Sequence, residues 1–223
     1  MRIEEAREIT SWIRSLNLPA GTVCLNVGSS TGHFRTQVQP HIEKFLFAPL
    51  RADGLHVVHC DLKAAEGVDE VGDLLDPEFR KHLKRHDAHI LICSNLLEHL
   101  TEPQTFADAC ADLVSPGGHA IVTVPRSYPY HPDPIDTMFR PAPEDLARMF
   151  ADWAVERQQV LVSGNYADDL RASGRGAEIL AKQVLRTLLP VYRPSQWRHI
   201  AHRLLWLWRP YTLSMVLLQK PAS

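Results

Sequence analysis

Apolar residues change their period early in the chain, and each change marks an element. Ile3, Ala6, Ile9, Ile13 and Leu16 recur at helical spacing with Trp12 beside them. That predicts an amphipathic helix over 2–17, packed on a sheet or, alternatively, closing over a substrate. Pro19 and Gly21 stop it. Val23, Cys24, Leu25 and Val27 then make a continuous apolar run, the mark of a strand buried on both faces. A turn of small residues, Gly28-Ser29-Ser30-Thr31-Gly32, follows at once. Residues 33–47 predict a helix interrupted near Pro40. A second strand is expected over 55–61 and a brief third over 68–73, each ending in an acid, with a fourth over 89–94. Residues 45–50 could be a short second strand instead, but 55–61 is preferred because 68–73 then follows naturally as the third. A helix over 103–114, a Ser-Pro-Gly-Gly turn and a fifth strand over 119–124 complete the alternation. Strand, helix, strand in this order builds an α/β protein with a parallel sheet and right-handed crossovers.

The turn after the first strand is where chemistry is expected. Gly28 and Gly32 let the backbone approach a ligand at the carboxyl edge of the sheet. Asp61, at the tip of the second strand, is suited to accept both hydroxyls of a ribose; capping the next turn is its plainer alternative. Asp73 is expected beside an adenine amino group, unless it or Asp76 initiates the helix near Pro77. The run from Pro125 to Asp136 carries four prolines, two tyrosines, a histidine, an arginine and two aspartates. Its stiffness and polarity suit a substrate-binding loop, and a mere crossover to the helix near Glu144 is the alternative.

Composition narrows the classes. The 223 residues fit one domain over 1–223, and 45% hydrophobic with 22% charged residues and a net charge of −2 argue against a nucleic-acid partner. Cys24, Cys60 and Cys93 fall in predicted core strands, where a thiol acts as a small hydrophobe, so a reducing, cytoplasmic setting is expected. The first residues carry Glu4, Glu5 and Glu8 and no apolar run, so no secretory signal is expected.

Taken together, Leu25-Asn26-Val27-Gly28-Ser29-Ser30-Thr31-Gly32, the acid at Asp61, Leu96-Leu97-Glu98-His99, and Pro116-Gly117-Gly118 ahead of a strand ending in Val124-Pro125 resemble the class I S-adenosylmethionine-dependent methyltransferases over about residues 20–165. The branch resembled is that of small-molecule and glycan enzymes. Asn26 stands where the family usually has an acid, and Ser30 where it usually has glycine. The resemblance implies a Rossmann-like, doubly wound, seven-stranded, mostly parallel sheet whose last strand is antiparallel. Residues 158–163 and 211–219 can supply the sixth and last strands, with a helical insertion over 176–209 between them. It also implies S-adenosylmethionine as cofactor, held by Asn26, Gly28, Ser29, Ser30, Gly32, Asp61, Leu62, Asp73, Leu74, Ser94 and Asn95. Methyl transfer to a hydroxyl of a small polar acceptor, such as a sugar, glycan or natural product, then needs a base. His131 is the first candidate and His99 the second.

Glu98, His99 and His131 also resemble part of the metal-binding run of small-RNA 2′-O-methyltransferases, but Asn95 replaces that run's first glutamate, and no metal is expected. A nicotinamide-dependent oxidoreductase would need a third glycine where the chain has His33 and Phe34. A non-catalytic binding protein of the same fold is the other alternative. Over 194–209, Trp197, Trp206 and Trp208 stand among arginines, which suits core packing, a homodimer contact or a peripheral membrane contact.

Overall fold

The computed structural model describes residues 1–131, 135–188 and 197–222. Its seven strands lie in the order β3-β2-β1-β4-β5-β7-β6. They are β1 (Val23–Val27), β2 (His56–Asp61), β3 (Glu70–Val71), β4 (Ile90–Ser94), β5 (His119–Ser127), β6 (Ala154–Val162) and β7 (Thr212–Gln219). β1 pairs parallel with both β2 and β4, so the winding reverses on either side of β1. β7 runs antiparallel between β5 and β6. The second strand is thus the 55–61 segment, and residues 45–50 are helical. The third strand has only two residues because Asp69 and Gly72 leave the ladder after single backbone bonds to His59 and Asp61.

Alternation along the central strands feeds two cores. Leu25, Val27, Leu91, Cys93 and Val122 face α4 (Pro77–Leu83), α5 (Pro103–Leu113) and α6 (Pro143–Arg148). Cys24, Ile90, Ile92 and Ile121 face α1 (Ile3–Ser15) and the helical stretch over 34–52. On α1 the predicted stripe is buried at Ala6, Ile9, Trp12 and Ile13. Each large apolar side chain so buried contributes about 1.5–3 kcal/mol. Thus α1 packs on the sheet, while its first turn also reaches the rim of the crevice described below.

The stretch over 34–52 is less regular than the apolar pattern suggested. Phe34–Val38 and Glu43–Phe47 are π-helical turns, separated by α2 (Pro40–Ile42) and followed by α3 (Ala48–Ala52). Pro40 has no N–H to continue the first turn, and Gln39 donates to the carbonyl of Phe34 at 2.8 Å, closing a wide turn there.

The helical insertion before β7 starts ahead of the expected residue 176. It begins with α7 (Tyr166–Ala172), where Asn165 and Asp168 cap each other, and continues as α8 (Gly176–Leu188) and α9 (Trp197–Arg203), with a 3₁₀ turn at Leu204–Leu207. Residues 194–196 lie outside the described residues. Trp206 is buried with Tyr166, Leu170 and Tyr211 in a third cluster, whereas Trp208 is 78% exposed. All four cysteines are free and buried, and burial pushes the Cys24 thiol up to about 12. Among the described residues no helix is long and apolar enough to cross a membrane.

Candidate active site

Where the winding reverses, the carboxyl ends of β1, β2 and β4 bound a crevice of about 450 Å³. One wall is the turn Gly28 to Thr31; Asp61 and the segment Ser94 to Leu96 close the others. Gly28, Ser30 and Asn95 have positive φ of 65°, 54° and 52°. At Gly28 a Cβ would come within 2.6 Å of Leu96 Cδ2, so this glycine admits the Leu96 side chain as well as the turn. Ser30 keeps its left-handed conformation because its N–H donates to Asp61 Oδ2 at 2.8 Å.

Arg35 fixes the same turn from below. Its guanidinium, in a residue 4% exposed, donates from Nη1 to the carbonyls of Ser29 and Ser30 at 2.8 and 2.7 Å, and from Nη2 to that of Gly67. Burial pulls its pKa below the ordinary arginine value. Asn26 fits the next layer: its amide donates to His59 Nδ1 at 3.1 Å. Burial, assisted by Arg35, pushes His59 down to about 3, so this imidazole is neutral and offers a lone pair. A carboxylate at position 26 would bring another acceptor to that lone pair, which is a physical reason for the amide there.

Asp61 stands between the crevice and the turn that follows β2. It lines the crevice, and it caps the turn by accepting from Ser30 N and, at 3.0 Å, from Lys63 N. A carboxylate has about four acceptor positions, so two backbone donors leave capacity for a ligand. Asn26, Gly28, Ser29, Ser30, Ser94 and Asn95 line the same crevice. Four residues expected there lie elsewhere. Gly32 sits against the backbone of Glu66 and Gly67, its N–H donating to Glu66 O at 2.8 Å. Asp73 turns back to accept from Leu75 N at 2.9 Å, while Asp76 caps α4. Leu62 is 68% exposed, and Leu74 is buried in the core.

His99 and His131 line the other side of the crevice, rings 5.3 Å apart. Nδ1 of His99 donates to Ile135 O, and Nδ1 of His131 lies 3.2 Å from Pro129 O, so in the neutral tautomer each ring leaves Nε2 bare. Asp136 lies 3.3 Å from His131 Nδ1 and is held by Arg140 at 2.7 Å. Burial lowers the His131 pKa, which keeps the ring in its basic form at neutral pH. Glu98 Oε1 is 3.7 Å from His99 Nε2 and 3.9 Å from His131 Nε2. Both Glu98 oxygens are buried without a hydrogen-bond partner among the described residues, and burial pushes this carboxyl up to about 7. One ligand atom from each of these three residues lies within 4.8 Å of the others, a set able to hold a divalent cation.

Glu5 and Arg35 are among the site residues that escaped the sequence reading. Glu5 is fully buried and accepts from Asn95 Nδ2 at 2.8 Å and Thr123 Oγ1 at 2.5 Å. Its signal was present: Glu5 stands four residues before Ile9 and eight before Ile13, on the apolar stripe. Arg35 left no such trace, because its partners are carbonyl groups.

No protein-family model matches the chain. Ubiquinone biosynthesis O-methyltransferase of Citrobacter koseri is 35% identical over 72 residues, 32% of this chain and 27% of that protein. The same enzyme of Escherichia coli strain K12 is also 35% identical over 72 residues, covering 28% of its length. The likeness therefore spans under a third of either partner. Among solved structures, a SAM-dependent methyltransferase from Archaeoglobus fulgidus superposes with a TM-score of 0.52 at 14% identity, covering 96% of this chain and 94% of that one. Coclaurine N-methyltransferase bound to N-methylheliamine and SAH gives 0.50 at 11% identity, covering 96% and 70%. The chain has the fold these methyltransferases share.

Proposed function

We propose that this chain is an S-adenosylmethionine-dependent methyltransferase acting on a hydroxyl of a small polar acceptor. One observation carries the reading: a single crevice at the sheet's reversal gathers the Gly28 to Thr31 turn, Asp61 and Asn95 on one side and two bare imidazole nitrogens on the other. The residues fit the cofactor, since the crevice is open, a free-sided carboxylate stands at the tip of β2, and Gly28 keeps the turn clear of a side chain.

When bound, the cofactor supplies a methyl group on a positively charged sulfur. Asp61 would hold the ribose hydroxyls, and Asn26, hydrogen-bonded to His59 Nδ1, lines the crevice below the turn. Asn95, fixed by Glu5, shapes the wall nearest the reacting centre. His131 removes the acceptor proton at Nε2, with Asp136 and the Pro129 carbonyl holding its other nitrogen. His99 shapes the same corner and is the alternative base. Alignment of the acceptor hydroxyl and exclusion of water would be the main contributions of these residues.

Calorimetric titration with S-adenosylhomocysteine tests the cofactor assignment. Asp61→Ala is expected to weaken binding by about tenfold or more, the loss of one or two hydrogen bonds to a charged group. Undiminished affinity in that variant would remove Asp61 from the ribose.

The partnerless carboxylate of Glu98 favours a second reading, in which Glu98, His99 and His131 hold a divalent cation that polarises the acceptor hydroxyl. Metal analysis of protein purified without chelator separates the two. Base catalysis by His131 predicts no stoichiometric metal, and one equivalent would favour the second reading.

A further inference from the structure

The insertion between β6 and β7 carries a charge unlike that of the rest of the chain. Residues 165–209 hold eight lysines and arginines against three acids, a net of +5, so with −2 overall the remainder carries −7. The three acids are already answered: Asp168 by Arg171, Asp169 by Arg2, and Glu178 by both Arg175 and Lys182. Arg203 lies over the Tyr166 ring and Arg209 over the Trp206 ring. Among the described residues these two and Arg186 have no carboxylate partner.

The same insertion leaves one helix face uncovered. On α8, Leu180 packs against the cluster around Trp206, and Gln183 is buried. Away from that side, Ala177, Ala181, Val184, Leu185 and Leu188 follow one another at helical spacing, and all five are exposed, Leu185 by 57% and Leu188 by 70%. Such a series is a continuous apolar stripe of the kind a helix normally buries. Glu178, Lys182 and Arg186, four residues apart, form the charged edge beside it. Leu205 and Trp208, 57% and 78% exposed, add apolar surface to the insertion.

Charge decides among the occupants of this face. A second copy meeting it through the same stripe would set +5 against +5, and an uncharged surface would leave the unpartnered guanidinium groups unanswered. The cations are spread over α8, α9 and the end of the 3₁₀ turn, which suits an extended layer of negative charge better than one folded acidic partner. An anionic lipid surface meets both needs: acyl chains take the leucines, an indole suits the headgroup level, and phosphates draw the cations. At 13 residues α8 is about 20 Å long, short of the roughly 30 Å hydrocarbon core, so it lies in the interface without crossing it. We propose that α8 docks the protein on an anionic membrane surface, with the stripe from Ala177 to Leu188 at the boundary of headgroups and acyl chains and Lys182 and Arg186 on the phosphates. None of these residues lines the cofactor crevice, so docking is separable from cofactor binding.

The test is vesicle co-sedimentation of the full chain. The probes are phosphatidylcholine vesicles and vesicles with about a third of that lipid replaced by phosphatidylglycerol, each at low and at high salt. The bound fraction is expected to be at least about fivefold larger on the anionic vesicles and to fall as salt is added. Leu185→Ser combined with Leu188→Ser, which leaves the charge unchanged, should cut binding by about tenfold. Arg186→Gln should cut it by about fivefold. These positions are exposed, so the variants are expected to melt within a few degrees of the parent chain. Equal binding to both kinds of vesicle, binding to neither, or undiminished binding by the serine pair would overturn the inference. So would light scattering that shows a dimer split by the serine pair, since the stripe would then belong to a second copy.

Discussion

Glu98 is an acid in a place where ionisation is costly. Burial raises its pKa from 4.5 to about 7, so the folded chain binds this proton more tightly than the unfolded chain does. The stability it permits is fully present below the unfolded value and is lost as pH rises through about 7. Glu98→Gln is accordingly expected to raise the melting temperature near pH 8, by the equivalent of roughly 1–3 kcal/mol, with little change near pH 4. A variant whose advantage does not grow with pH would show that Glu98 ionises freely. Such behaviour could not be read from Leu-Glu-His alone, because nothing in the sequence tells that Glu98 is sealed behind two imidazoles. That Asp61 ends the second strand at the crevice was legible, since topology defines that position. Asp73 was not: its carboxylate is satisfied locally by Leu75 N–H, a two-residue interaction as available to a turn as to a ligand site.

At the scale of elements, the glycine turn depends on the helical segment that follows it. Arg35 is the only described residue whose side chain donates to the carbonyls of both Ser29 and Ser30, and it reaches Gly67 as well. Arg35→Leu leaves these acceptors without that donor, each at about 1–3 kcal/mol where water cannot enter. Urea denaturation is expected to show a loss of about 3 kcal/mol or more, with weaker S-adenosylhomocysteine binding in the fraction that folds. A loss within about 0.5 kcal/mol, the usual surface value, would mean that the turn holds its own shape. β1, β4, β5 and α1 were readable because their apolar runs are continuous or helically spaced, whereas β2 had a rival in residues 45–50 and β6 begins at Ala154, ahead of the 158–163 expected. The π-helical turns around Pro40 were not, because periodicity registers an interruption without saying how the backbone closes it. The break of the tryptophan-rich segment into α9 and a 3₁₀ turn escaped for a related reason: indole spacing alone does not distinguish Trp206, which is buried, from Trp208, which is exposed.

At the scale of the whole molecule, the reversal of winding about β1 and the insertion of β7 between β5 and β6 fix where the loops converge. The alternation of strands and helices made the parallel core legible, the antiparallel direction of β7 came only through the family resemblance, and its place between β5 and β6 was not foreseen. The same topology brings α1 over the carboxyl edge, where Glu5 meets Asn95 and Thr123 although 90 and 118 residues separate them in sequence. His131 and Asn95 thus line one side of the crevice and Asp61 another, and the central claim is that a sulfonium nucleoside binds between them. A crystal structure of the chain grown with S-adenosylhomocysteine measures this directly. The account predicts nucleoside density in the crevice, with the ribose hydroxyls on Asp61 and the sulfur facing the wall that carries Asn95 and His131. A crevice filled by the side chains of Met1 and Gln39, or a ligand bound away from Asp61, would contradict it.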